Sequence, residues 1–60
     1  MILVLGSGES GVGSALLAKS KGLSVFVSDS HLIEKNYKEL LLKNNIKFEE
    51  NGHVQANKLN

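Results

Sequence analysis

A chain of 60 residues with no cysteine cannot be stapled by a disulfide, and two distant histidines without thiol partners do not make a structural zinc site. The net charge of +1 comes with seven lysines, spread from Lys19 to Lys58, and no arginine, so there is no basic patch of the kind that binds nucleic acid.

Ile2-Leu3-Val4-Leu5 is an unbroken apolar run closed by Gly6, and it predicts a strand buried on both faces. The run has no basic leader and is far too short for a signal peptide or a membrane span, which points to a cytoplasmic protein. Residues 6–11 are glycine-rich and predict a loop. From Gly11 onward Val12, Ala15, Leu16 and the Lys19 stem fall at helical spacing. Ala15 and Ala18 are small enough to let that helix approach a sheet. Lys19 and Lys21 suit the negative end of its dipole, and Gly22 stands where a left-handed cap is expected.

Leu23-Ser24-Val25-Phe26-Val27 predicts a second strand, ended by Ser28-Asp29-Ser30. Ser30 is placed to cap the next helix, with Glu34 in its first turn. Ile33, Tyr37, Leu40, Leu41 and Asn44 follow one face of that helix, and Asn44-Asn45 stops it. Ile46-Lys47-Phe48-Glu49 alternates apolar and polar, as a short half-exposed third strand does. Asn51-Gly52 is a turn signal, and Val54 to Asn60 is polar and without pattern.

The order β-loop-α-β-α-β is that of an α/β fold, a partial Rossmann-like parallel sheet. Right-handed crossovers put its strands in one sheet, and ligands bind beyond their carboxyl ends. A sheet of this class is normally covered on both faces. Residues 1–60 are therefore expected to be the N-terminal part of a nucleotide-binding domain, within a longer protein.

Gly6-Ser7-Gly8-Glu9-Ser10-Gly11 fits G-x-G-x-x-G, after a strand and before a helix. The first glycine permits the tight turn, the second lets backbone approach a diphosphate, and the third lets helix and strand pack closely. The helix start then offers free N–H groups and a positive dipole end. Ser10 can donate from both hydroxyl and N–H. Glu9 would repel a diphosphate, so only its N–H can serve one. A tight turn that binds nothing is the structural alternative. Asp29 lies about 20 residues beyond the glycines, where a dinucleotide-binding acid takes the ribose hydroxyls; a turn or capping acid is the alternative. His31 and His53 read as surface residues, Tyr37 as core and Glu49-Glu50 as a solvated strand end. Nothing forms a nucleophile–base pair, and there is no G-x-x-x-x-G-K-[ST] loop.

The run Val4 to Gly13, with Val25-Phe26-Val27-Ser28-Asp29-Ser30, resembles the start of the Mur ligase family, in its D-glutamate-adding branch. Ile46 to Glu50 and Gly52-His53 resemble its third-strand region. The resemblance implies a first domain that binds UDP-N-acetylmuramoyl-L-alanine, with no nucleic-acid or membrane partner. Gly8, Glu9, Ser10 and Gly11 would face the diphosphate; Asp29, Ser30 and His31 would face the uridine. The family activates the substrate carboxylate as an acyl phosphate, which the D-glutamate amine attacks. ATP and Mg2+ are implied for the full-length enzyme, but no cofactor and no catalytic residue is expected in this segment. An NAD-binding start of a Rossmann oxidoreductase, or a non-enzymatic nucleotide-binding module, stays open on the loop alone. NADP is disfavoured by Asp29 and the lack of arginine.

Overall fold

The computed structural model describes residues 1–51. Its elements run β1 (Ile2–Leu5), α1 (Glu9–Ser20), β2 (Val25–Ser28), α2 (Lys35–Lys43) and β3 (Lys47–Glu49). Gly52, His53 and the Val54–Asn60 tail lie outside the described residues.

The three strands form one parallel sheet in the order β1-β2-β3. Ile2 and Val4 pair in register with Val25 and Val27, and Phe48 pairs with Val27, so these side chains share one face. Both helices pack on that face. Val12 and Ala15 of α1, Val25 and Val27 of β2, Leu41 of α2 and Ile46 form a single buried cluster, with Val4, Leu16, Ala18, Tyr37 and Phe48 packed against it. Val27 and Leu41 are completely enclosed, and each contributes about 1.5–3 kcal/mol of burial.

β1 departs from the expectation of a strand buried on both faces. Among the described residues it is an edge strand, and its outward residues Leu3 and Leu5 are 58% and 74% exposed, because both helices lie on the opposite face. The unbroken apolar run makes a strand, but it does not by itself supply a second cover.

α1 starts at Glu9, two residues earlier than its apolar spacing suggests. Val12 N–H donates to Gly8 O at 2.9 Å, so the helical ladder already begins in the glycine turn. At its other end Gly22 is left-handed, at φ +81°. Gly22 N–H reaches Lys19 O and Leu23 N–H reaches Ala18 O, which together make a Schellman closure. Leu23 is spent on that closure, so β2 begins at Val25 and not at Leu23.

α2 begins at Lys35, with extended Glu34 before it, so Ser30 does not cap it and Glu34 is not in its first turn. Ile33 instead reaches the interior from the preceding loop, where it is 3% exposed. On the helix Leu41 is buried, whereas Leu40 and Asn44 are exposed. Asn44-Asn45 does stop the helix: Asn45 takes a left-handed conformation at φ 57°, and Ile46 N–H closes onto Leu41 O at 2.9 Å.

Candidate functional site

Three strand ends and two βα connections meet at the carboxyl edge of the sheet. The short connection, Gly6 to Gly8, leads from β1 into α1. Gly6 has φ +96°, a conformation that disfavours any side chain, and its N–H donates to Ser28 O at 2.8 Å. Gly11 brings helix and turn together: a Cβ there would lie 2.0 Å from Gly6 O. Two of the three glycine roles thus have a direct structural cause.

Gly8 is different. Its backbone is ordinary, at φ −70°, and a Cβ there would meet nothing within 4 Å. It caps α1 without a side chain, so no capping group takes the N–H groups of the first turn. Gly8, Glu9 and Ser10 are exposed, and Gly11 is half-buried. Fold geometry does not require glycine at position 8, and the open space above it gives a ligand room to reach the backbone donors.

The long connection, Asp29 to Glu34, leads from β2 into α2. Asp29 N–H donates to Glu49 O at 3.1 Å, one step beyond the end of the ladder. One oxygen of its carboxylate accepts the Ser7 hydroxyl at 2.6 Å and the Ser7 N–H at 2.8 Å; the other accepts the His31 N–H at 2.8 Å. The Ser7 hydroxyl bond, followed by the two backbone donors, draws the Asp29 carboxyl from 3.8 down to about 2. His31 projects outward with its side chain 90% exposed, its Nδ1 at 3.7 Å from Asp29 Oδ1 and 3.1 Å from Ser30 Oγ. Asp29, Ser30 and His31 therefore sit together at the sheet edge, across the Ser7–Asp29 contact from Gly8 to Gly11.

Glu49 and Glu50 are not simply a solvated strand end. Glu49 accepts the Ser28 hydroxyl at 2.6 Å. Glu50 accepts Ile33 N–H and Lys38 Nζ, both at 3.0 Å. The Ile33 N–H, and next the Lys38 ammonium, hold the Glu50 carboxyl below the ordinary range. With Asn51 N–H on His31 O at 3.2 Å, these bonds fix the long connection and delay the start of α2.

Sequence reasoning passes over Ser7 and Glu50. Ser7 occupies a variable place in the glycine pattern; its signal is that Leu5 pairs in register with Ser28, which puts the residues after each strand side by side. Glu50 gives no comparable signal, since its partners Ile33 and Lys38 come from a loop whose shape periodicity does not reveal.

The site can hold an anion through backbone N–H groups and the Ser10 hydroxyl, with polar groups of the second loop beside it. Among the described residues there is no cluster of three or more His, Asp or Glu side chains able to hold a metal ion. An open depression of about 580 Å³, lined by Phe26, Leu42, Asn45, Ile46, Lys47 and Phe48, is formed at β3 and the end of α2, away from the glycine turn. No helix of the described residues is long and apolar enough to cross a membrane.

The MurD N-terminal domain family matches residues 1–59. The chain is 58% identical over 55 residues to a UDP-N-acetylmuramoylalanine–D-glutamate ligase of Porphyromonas gingivalis, covering 92% of this chain and 12% of that protein. It is 49% identical over 59 residues to the ligase of the same name from Bacteroides thetaiotaomicron, covering 98% of this chain and 13% of the relative. The corresponding ligase of Christiangramia forsetii is 46% identical over 55 residues, with coverage of 92% and 12%. The chain thus spans about one eighth of the length of these relatives. No solved structure matches it.

Proposed function

The chain belongs to the MurD N-terminal domain family, and from that membership we propose that it holds the UDP end of UDP-N-acetylmuramoyl-L-alanine in a cytoplasmic, ATP-dependent ligase that adds D-glutamate during peptidoglycan synthesis. The observation that carries this reading is the glycine turn. Gly8 has no structural need to be glycine, and the first-turn N–H groups beside it are left uncapped. Gly8, Glu9, Ser10 and Gly11 supply the diphosphate contacts, mainly through backbone N–H groups, with the Ser10 hydroxyl as an added donor. Glu9 contributes its N–H and leaves its exposed carboxylate in solvent.

Asp29, Ser30 and His31 form the uridine end. A carboxylate has about four acceptor positions, and Asp29 spends three on Ser7 and His31, so one on Oδ1 remains for a donor of the base. Anchoring a nucleotide handle far from the reacting carboxylate lets remote binding energy orient the reacting end. ATP and Mg2+ are implied for the full-length enzyme, and the sequence of this segment has no G-x-x-x-x-G-K-[ST] loop. They belong, with the D-glutamate site and the catalytic groups, to other domains of the ligase. The rest of the longer protein supplies the cover for Leu3 and Leu5.

Titration of the full-length protein with UDP-N-acetylmuramoyl-L-alanine and, separately, with NAD tests the assignment. Binding of the UDP compound without ATP, and none of NAD, is expected. Tight NAD binding with no response to the UDP compound overturns it.

A further inference from the structure

Ser7 is the one buried polar side chain among the described residues, at 4% exposure. Its hydroxyl has a single hydrogen, which goes to Asp29 Oδ2 at 2.6 Å, and its N–H goes to the same oxygen at 2.8 Å. The hydroxyl is therefore not a donor to any ligand. The second oxygen of that carboxylate takes His31 N–H, so one side chain ties the two βα connections together.

Apart from the backbone bonds of Gly6 N–H to Ser28 O and Val12 N–H to Gly8 O, and the close packing of Gly11, Ser7 makes the only side-chain hydrogen bonds of this turn among the described residues. Its neighbours Gly6 and Gly8 carry no side chains, and a Cβ at either would meet nothing within 4 Å. Glycine has the greatest backbone freedom of any residue, and a site that presents several N–H groups to one diphosphate works best when their directions are set in advance. Hydrogen bonds to an ionised acceptor are about twice as strong as neutral ones.

We propose that Ser7, acting through Asp29, is a positioning residue: the pair clamps the glycine turn to the β2–α2 connection, so that the diphosphate donors and the uridine end keep one spacing before the nucleotide arrives. The inference rests on the reading of this loop as a UDP site.

The test uses the full-length ligase with Ser7→Ala, Asp29→Ala and the double variant. Ser7→Ala is expected to weaken binding of UDP-N-acetylmuramoyl-L-alanine about tenfold, while kcat at saturating substrate and the KM for ATP stay within about twofold. Because Ser7 works through Asp29, the double variant should bind no more weakly than Asp29→Ala alone. Unchanged affinity in Ser7→Ala, or fully additive losses in the double variant, overturns the clamp. Hydrogen exchange of the amides at residues 6–8, measured without ligand, separates the two ideas. Faster exchange in Ser7→Ala, in a protein that ignores the UDP compound, keeps the clamp and removes the UDP reading; unchanged exchange removes the clamp. If Ser7→Ala does not fold, Asp29→Asn carries the same exchange measurement, with faster exchange at residues 6–8 expected and unchanged exchange contradicting the proposal.

Discussion

The two βα connections at the carboxyl edge of the sheet are built on opposite terms. The first, Gly6 to Gly8, is short; neither the helix it leads into nor the one after the second connection has a capping side chain. The second, Asp29 to Glu34, is longer, and carboxylates of Asp29 and Glu50 take the N–H groups of His31 and Ile33. In the first, the Gly6 and Ser7 N–H groups turn to Ser28 O and Asp29 Oδ2; the second is held by carboxylates at its own start and beyond β3.

The largest expected effect comes from forcing a side chain into the first connection where it packs. Gly11→Ala places a Cβ 2.0 Å from a backbone carbonyl, with no flexible atom to yield. Thermal unfolding should show a loss of about 3 kcal/mol, the upper part of the range for overpacking, or no folded protein at all. A variant as stable as the parent would show that the close approach of α1 to the turn is not real.

Acid should act next, on the contact that joins the two connections. The Asp29 carboxyl sits at about 2 when folded against 3.8 ordinarily. A lowered folded value means its contribution is fully present above about pH 4 and is lost as pH falls towards 2. Stability measured across that window should fall for the parent and stay flatter for Asp29→Asn. Equal slopes would mean that Asp29 is not selectively held as its anion.

A smaller effect is expected from loosening the second connection alone. Glu50→Ala leaves Ile33 N–H without its acceptor and Lys38 without its partner. Exchange of the Ile33 amide should quicken roughly tenfold as local opening becomes easier, with less change at residues 6–8. Equal quickening in both connections would show them to be one unit. The least effect, and of opposite sign, belongs to Gly13→Ala. Position 13 lies within α1, exposed, with nothing within 4 Å of a Cβ, so helix propensity should stabilise the protein by about 0.5–1 kcal/mol. A loss of stability there would contradict the open surroundings.

Much of this was legible in the sequence because it depends on local chemistry. The apolar run of β1, the left-handed Gly22, the Asn44-Asn45 stop and the glycine pattern each act within a few residues of themselves. The start of α2 was not legible, because it is set by Glu50, 17 positions beyond Ile33 in the chain. A capping serine at position 30 is a sound local expectation that a long-range carboxylate overrides. The exposure of Leu3 and Leu5 was missed for a related reason: hydrophobicity predicts that a residue suits burial, not that a partner covers it. At the site, residues 8–11 and 29–31 stood out by type and spacing, whereas Ser7 gained its role only from the register of β1 with β2.

In the UDP-site reading, glycine at position 8 serves a diphosphate and not the fold. Gly8→Val tests it most directly, because the backbone there is at φ −70° and a Cβ meets nothing within 4 Å. In the full-length protein, the variant should unfold at a temperature close to the parent's, yet bind UDP-N-acetylmuramoyl-L-alanine at least about a hundredfold more weakly, as a side chain blocks approach to the donors. A variant that keeps both its stability and its affinity for the UDP compound would contradict the claim.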